Sequence, residues 1–98
     1  MITRIRTFTA ASGKAPQVIA LLKEIAETAS RLSGRPLPTV AVTVGGDLSE
    51  VSLIMHADGI DMHDEILAKS SAHPEVAPLI DKVFPLIESG FDTIYRHV

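Results

Sequence analysis

The sequence predicts an α+β domain in which two helical segments cover one face of a four-stranded antiparallel sheet. Three observations lead to this prediction. Short stretches alternate between apolar and polar residues, two longer stretches repeat apolar residues every three or four positions, and the order of the stretches is β-α-β-β-α-β. The 98 residues have the size of one domain, so we expect residues 1–98 to form a single unit.

The clearest element is a β-hairpin over residues 39–57. Val40, Val42 and Val44 alternate with small or polar residues, a pattern that suits β-branched side chains in a strand. Gly45, Gly46 and Asp47 predict the turn, because glycine reaches positive φ without steric cost. The returning strand carries Val51, Leu53 and Met55 on one face and Ser52, Ile54 and His56 on the other.

The first and last stretches predict the two remaining strands. Residues 2–9 alternate so that Arg4, Arg6 and Phe8 share one face while Ile5 lies on the other. Because two arginines are poor core residues, we expect Ile5 to face the helices. Residues 91–98 form the final strand, with Ile94 and Tyr95 on opposite faces.

The first helix is predicted from Pro16 to the residue before Gly34. Proline suits a first turn, glycine suits a C-terminal cap, and Glu27 and Arg31 have the spacing of a helical ion pair. The apolar face comprises Val18, Leu21, Leu22, Ile25, Ala29 and Leu32.

The second helical region is predicted to be split near Pro74. Asp58 and Asp61 offer N-caps for a helix that continues to about Lys69, and the residue before Pro74 should leave the helical conformation. A further helical segment begins at Pro74 and ends near Ser89–Gly90, with Pro85 loosening its last turn. Its apolar residues are Val76, Leu79, Ile80, Val83, Phe84 and Ile87.

These elements assemble into a ferredoxin-like sheet of spatial order 4-1-3-2 with both helical regions on one side. The opposite face then has no cover within the chain. We expect it to carry Arg4, Arg6, Phe8, Ala41, Thr43, Ile54, His56 and Tyr95. A second copy of the chain could cover this mixed patch, so we predict a homodimer whose two sheets enclose a barrel.

The barrel interior is the predicted ligand pocket, lined by Arg6, Phe8, Thr43, Ile54, His56 and Tyr95. His56 could act as an acid or base near neutral pH, or could simply end a strand at the subunit seam. Arg4 and Arg6 could hold an anionic ligand, or could pair with Asp or Glu across the sheet or the dimer.

The composition argues against several partners. The net charge of −3 and the pI near 5.7 disfavour nucleic acid, which requires a basic surface. The absence of cysteine excludes disulfides and thiolate sites. The N-terminal stretch lacks the apolar run of a signal peptide, and no apolar run reaches 18 residues, so we expect a cytoplasmic protein without a membrane partner.

No metal or cofactor is predicted. His56, Asp58, Asp61, His63 and Asp64 lie close in sequence but match no known ligand spacing, and we interpret the acids as helix caps and first-turn residues. The two glycines of the hairpin turn lead into a strand, so no helix N-terminus could bind phosphate there.

Three segments resemble the dimeric α+β barrel superfamily, and within it the NIPSNAP-type proteins. They are Arg6-Thr7-Phe8 followed by Gly13-Lys14, the glycine-rich hairpin turn, and the pair His73-Pro74-Glu75-Val76 and Pro85-Leu86-Ile87-Glu88-Ser89. His73 stands where the family usually has Asp, and Val76 where it usually has Trp. The resemblance implies the fold and a homodimer, but no catalytic residue, because the activity of the family is undefined.

Three functions remain open. The first is a homodimeric barrel of undefined activity that binds a small, partly apolar ligand. The second is a cofactor-independent monooxygenase acting on an aromatic substrate, like some relatives of the barrel superfamily, with His56, Arg6 and Tyr95 as polar pocket groups. The third is a purely structural dimer domain. His63 and His73 could be haem ligands, as in related barrel proteins that degrade haem. Those proteins resemble a pattern that uses Trp and Asn in the pocket, and this chain has neither, so haem degradation is disfavoured.

Overall fold

The computed structural model describes residues 1–46 and 48–98. The elements in chain order are β1 (Ile2–Ala10), α1 (Ala15–Ser33), β2 (Thr39–Val42), β3 (Glu50–Ala57), α2 (Ile60–Ala72), α3 (Ala77–Val83), a 3₁₀ turn (Phe84–Leu86) and β4 (Ile87–Arg96). None of the described helices has both the length and the apolar character needed to cross a membrane.

The four strands form one antiparallel sheet of order β2-β3-β1-β4. This is the predicted 4-1-3-2 order, counted from the opposite edge, and the ferredoxin-like α+β fold is confirmed. The helices lie on one face, where the buried residues of the main core cluster are Ala10, Val18, Leu22, Val51 and Val83.

The face assignment of β1 was wrong. Phe8 packs against the core cluster and pairs with Val51, so the face that it shares with Arg4 and Arg6 is the face toward the helices. Ile5 pairs with Ile54 on the uncovered face instead. The physical reason is that apolar residues at both ends of β1 fix its orientation: Ile2 is 5% exposed and Ala10 is 3% exposed.

The first strand of the hairpin is shorter than predicted. Strand β2 ends at Val42, so Thr43 and Val44 lie beyond the strand, and Val44 is 90% exposed. Gly45 and Gly46 lie in a bend, and Gly46 has a φ of +151°. Asp47, the third residue of the predicted turn, lies outside the described residues.

Helix α1 agrees with its prediction. Pro16 lies in the first turn, and Gly34 adopts the left-handed conformation with φ 69° while its N–H donates to the Ser30 carbonyl at 2.9 Å. The ion pair predicted between Arg31 and Glu27 is replaced by another, because the Arg31 guanidinium pairs with Glu75 in the turn before α3.

The second helical region is split at Pro74 as predicted, but its ends differ. Gly59 occupies the N-cap position of α2 in place of Asp58 or Asp61. The last strand starts at Ile87, so Ser89 and Gly90 belong to β4 rather than to a helix end. A Cβ at Gly90 would come within 3.0 Å of the Phe8 ring, and the absence of that Cβ leaves room for the ring beside β4.

Candidate functional site: a cleft between the helices and the sheet

A cleft of about 820 Å³ lies between the helical layer and the sheet. Its volume is in the range of small-molecule sites in proteins. The cleft lies within a single chain, on the covered face of the sheet, whereas the sequence had predicted a pocket on the uncovered face.

The walls of the cleft are mainly apolar. They derive from the amphipathic spacing of the helices and the alternation of the strands, which direct apolar side chains into the space between the two layers. The apolar lining includes Leu22, Ile25, Ala26 and Ala29 of α1, Phe8, Leu53 and Met55 of the sheet, Ile66 and Leu67 of α2, and Ile80 and Val83 of α3.

What we call the polar end of the cleft consists of Arg6 and Asp92, and the Asp92 carboxylate is shared with Arg4, which lies outside the lining. Arg6 donates from Nε to Asp92 Oδ1 at 2.8 Å and from Nη2 to Asp92 Oδ2 at 3.1 Å. Arg4, which is only 8% exposed, donates from Nη2 to the same Oδ2 at 2.5 Å. Arg6 and Asp92 line the cleft, and Arg4 lies two positions along the same face of β1.

The two guanidinium groups stabilise the ionised form of Asp92. Hydrogen bonds from Arg6 are the largest influence, and together with those from Arg4 they lower the pKa of Asp92 from 3.8 to about 2, although partial burial opposes them. Asp92 is therefore a carboxylate throughout the neutral range.

His63 lies beside this cluster and lines the cleft from α2. It is 5% exposed, and its Nε2 has no hydrogen-bond partner among the described residues. Burial lowers the pKa of His63 below 6.5, and the positive charge of Arg4 lowers it further. The imidazole is therefore neutral at neutral pH and can accept or donate one proton.

Arg35 lies in the cleft lining on the segment that follows α1. Ser30 fixes this segment, since its hydroxyl donates to the Arg35 carbonyl at 2.6 Å. The Arg35 guanidinium contacts the Met62 sulfur at 3.9 Å. The cleft therefore has a second cation, separate from the Arg4–Arg6–Asp92 cluster.

The structure does not bring the six predicted pocket residues into one site. Arg6 and Phe8 line the cleft, and Tyr95 lies on the opposite face, where it pairs with Thr3. Ile54 and His56 contribute to the lining from β3, but their register with β1 assigns their side chains to the uncovered face. Thr43 lies outside the strands. Their contact with a ligand stays a prediction.

A separate polar group occupies the uncovered face. The hydroxyl of Thr3 is 2.9 Å from His56 Nδ1 and 2.6 Å from His97 Nε2. His56 therefore lies near the end of β3 beside Thr3, as expected if it is a strand-end residue. Its position at a subunit seam stays a prediction. Within residues 1–46 and 48–98, no three side chains of the metal-ligand types form a group that could hold an ion.

Two residues of the cleft were missed by the sequence analysis. His63 was considered as a member of the cluster with Asp61 and Asp64 and as a haem ligand, but not as part of a cleft lining. Its spacing to Ile66, Leu67 and Ser70 is that of one helix face, and all four line the cleft. Asp92 was missed because its pairing with Arg6 depends on the register of β1 and β4.

The fold is shared with structures of two kinds. A NIPSNAP family protein of unknown function from Agrobacterium tumefaciens is 23% identical, covers 97% of this chain and 86% of its own, and superposes with a TM-score of 0.83. An uncharacterised NIPSNAP domain protein from Burkholderia xenovorans is 14% identical, covers 100% of this chain and 95% of its own, and has a TM-score of 0.82.

The second kind is represented by a putative antibiotic biosynthesis monooxygenase from Nitrosomonas europaea. It is 14% identical, covers 100% of this chain and 99% of its own, and has a TM-score of 0.77. No protein-family model matches the sequence, and no curated protein matches it either. The chain thus has the fold of NIPSNAP and antibiotic-biosynthesis-monooxygenase-like proteins, and the predicted resemblance is confirmed at the level of the fold.

Proposed function

We propose that this protein binds one small, partly apolar molecule in the cleft between its helices and its sheet. The cleft itself is the observation that supports this function: a volume of about 820 Å³ in a chain of 98 residues, with apolar walls and a polar end. Such a combination is typical of sites that bind a ligand by its apolar surface and orient it by a few polar groups.

We further propose that the protein is a cytoplasmic homodimer formed through the uncovered face of the sheet. Phe91 and Tyr95 support this arrangement, since they alternate along β4 on that face and are 59% and 53% exposed. Ile5 and Ile54 lie on the same face. Apolar patches of this kind are commonly covered by a second subunit. In this arrangement each subunit keeps its own cleft on the far side of its sheet.

A blocking variant tests ligand binding. Ala29 lines the cleft from α1, so Ala29→Phe should fill part of it and weaken the binding of an environment-sensitive apolar dye at least ten-fold. Ala20 is exposed on the same helix and outside the lining, so Ala20→Phe is the matched control and should bind the dye as the unaltered protein does. Equal dye binding by both variants would count against the proposal. Native mass spectrometry of freshly purified protein should also detect a retained small molecule.

A second candidate is a cofactor-independent monooxygenase that acts on an aromatic substrate in the same cleft. His63 supports it, because a neutral imidazole in an apolar cleft can remove a proton from a bound hydroxyl group. Solved structures with this fold include putative antibiotic biosynthesis monooxygenases. Arg6 stays in this hypothesis, whereas Tyr95 lies on the other face of the sheet.

Oxygen consumption with a panel of hydroquinones tests the second candidate. Activity should be lost in His63→Gln and retained in His97→Gln, since His97 lies outside the cleft lining. No oxygen consumption above the uncatalysed rate, in a preparation that binds the dye, would leave binding without catalysis as the function.

A further inference from the structure

We infer that the ligand of the cleft is a monocarboxylate: an apolar body with one carboxylate group that binds beside Asp92 on the Arg6 guanidinium. This inference depends on the proposed function, because it names the chemical class of the molecule that the cleft holds. The supporting observation is that Asp92 does not engage all the N–H donors of Arg4 and Arg6.

The guanidinium groups of Arg4 and Arg6 share one carboxylate, that of Asp92, as their hydrogen-bond acceptor. Each guanidinium has five N–H donors, about ten in all, and Asp92 accepts only three hydrogen bonds from them. The Nε of Arg4 is buried and has no partner among the described residues. A buried donor without an acceptor is costly, so this cluster can accommodate a further acceptor.

The charges at this end of the cleft are also unequal. Arg4 and Arg6 contribute two positive charges, and Asp92 contributes one negative charge. The nearest further carboxylate is Asp64, at 3.8 Å from Arg4 Nη1, and its side chain is 65% exposed. Solvent screens an exposed carboxylate at that distance, so Asp64 offsets the remaining positive charge only in part.

Arg6 is the group that can meet the ligand. Its side chain is 31% exposed and lines the cleft, whereas Arg4 lies deeper and is 8% exposed. Arg6 holds Asp92 with Nε and Nη2, which leaves Nη1 for a second carboxylate. Guanidinium groups suit carboxylates because their planar donors match the two oxygens.

The other titratable groups in the cleft are compatible with one negative charge. His63 is neutral at neutral pH and adds no cation. Arg35 lies on the segment after α1, while Asp81 and Glu88 are exposed on α3 and β4. Because solvent screens the exposed carboxylates of Asp81 and Glu88, they oppose a single bound carboxylate only weakly, and the apolar walls fit a hydrocarbon body.

Titration calorimetry with octanoate and 1-octanol tests the inference, because the two molecules differ only in the charged group at the end of the same chain. The unaltered protein should bind octanoate at least ten-fold more tightly than octanol. Arg6→Gln should bring octanoate binding down to the octanol level and leave octanol binding unchanged. Arg96→Gln removes an arginine outside the cleft lining and should leave both affinities as they are.

Arg6→Lys is a second variant that keeps the inference testable if Arg6→Gln does not fold. It retains the charge without the planar donors, so it should bind octanoate with intermediate affinity. Equal affinities for octanoate and octanol would overturn the carboxylate inference. A preference for octanoate that persists in Arg6→Gln would overturn it as well. Either result would leave the proposed binding function standing. Absence of binding for both molecules, together with unchanged dye binding in Ala29→Phe, would overturn the proposed function as well.

Discussion

Arg6 and Asp92 face each other across β1 and β4 and are joined by two hydrogen bonds, Nε to Oδ1 at 2.8 Å and Nη2 to Oδ2 at 3.1 Å. The same carboxylate also accepts from the buried Arg4. This relationship explains how two arginines can lie on the face of a strand that is directed toward the helices. Without Asp92, Arg6 would lose its carboxylate partner, and Arg4 would keep only the exposed carboxylate of Asp64, at 3.8 Å.

Replacing Asp92 should therefore destabilise the fold. Asp92→Asn keeps the size of the side chain and removes the charge, and we expect a loss of about 2 kcal/mol in the free energy of unfolding, after allowance for the partial exposure of the carboxylate. Urea denaturation measures this loss. Asp81→Asn, at an exposed position of α3, is the control and should lie within 0.5 kcal/mol of the unaltered protein, roughly the spread of surface substitutions. Equal stability of the two variants would contradict the role given to Asp92.

The stability should fall in acid through the titration of the same carboxylate. The pKa of Asp92 is about 2 in the folded protein against 3.8 ordinarily, so between these values the unfolded chain binds more protons than the folded chain. The stabilising contribution is complete above about pH 5 and is lost as the pH falls through about 4 to 2. Unfolding free energies measured across this range should fall less steeply in Asp92→Asn than in the unaltered protein. Parallel profiles would exclude Asp92 as the source.

The pKa of His63 should lie below that of an ordinary histidine. Burial and the charge of Arg4 both disfavour the imidazolium, so the pKa of His63 lies below 6.5. Because the unfolded chain then binds the proton more readily, His63 lowers the stability as the pH falls below 6.5 and has no such effect above it. NMR titration of the four histidine rings measures the midpoint directly. A midpoint for His63 at or above 6.5 would show that its surroundings are not those described.

The uncovered face gives a prediction about subunit number. Phe91→Glu combined with Tyr95→Glu places two charges in the proposed interface, and we expect the double variant to sediment as a monomer while the unaltered protein sediments as a dimer. Val44→Glu is the control, since Val44 is 90% exposed in the hairpin loop and should leave the dimer intact. A monomeric unaltered protein at micromolar concentration would refute the dimer.

Gly34 should be sensitive to substitution because of its backbone conformation. A φ of 69° is unfavourable for residues with a Cβ, so Gly34→Ala should lower the free energy of unfolding by about 1 kcal/mol. Gly45→Ala is the control, because Gly45 does not have a positive φ and a Cβ there meets no atom within 4 Å. Thermal unfolding distinguishes the two variants, and an equal effect at both positions would argue against the left-handed cap.

The face of β1 illustrates where the sequence was insufficient. Judged alone, the alternation in residues 2–9 offers one face with two arginines and another with Ile5, and the second face is the better core by composition. The structure reverses this choice because Asp92, more than eighty positions away in the sequence, compensates the arginines. A compensating charge on another strand leaves no trace in the local pattern.

Prediction of the candidate site also required knowledge of contacts between residues that are distant in sequence. His63 and Arg6 were both named in the sequence analysis, but His63 was considered as a member of a His/Asp cluster and as a haem ligand, and Arg6 was assigned to the uncovered face. Their common location in the cleft follows from the docking of α2 over β1, which packing between the layers decides.

The amino-acid sequence by itself determined the kinds and order of the elements, the sheet order and the cap at Gly34, because hydrophobic period, proline and glycine act over a few neighbouring residues. Only the tertiary structure decided which face of β1 meets the helices and where a cleft opens. These features depend on side chains that are distant in sequence, and on whether a buried charge such as Arg4 finds a partner when the layers come together.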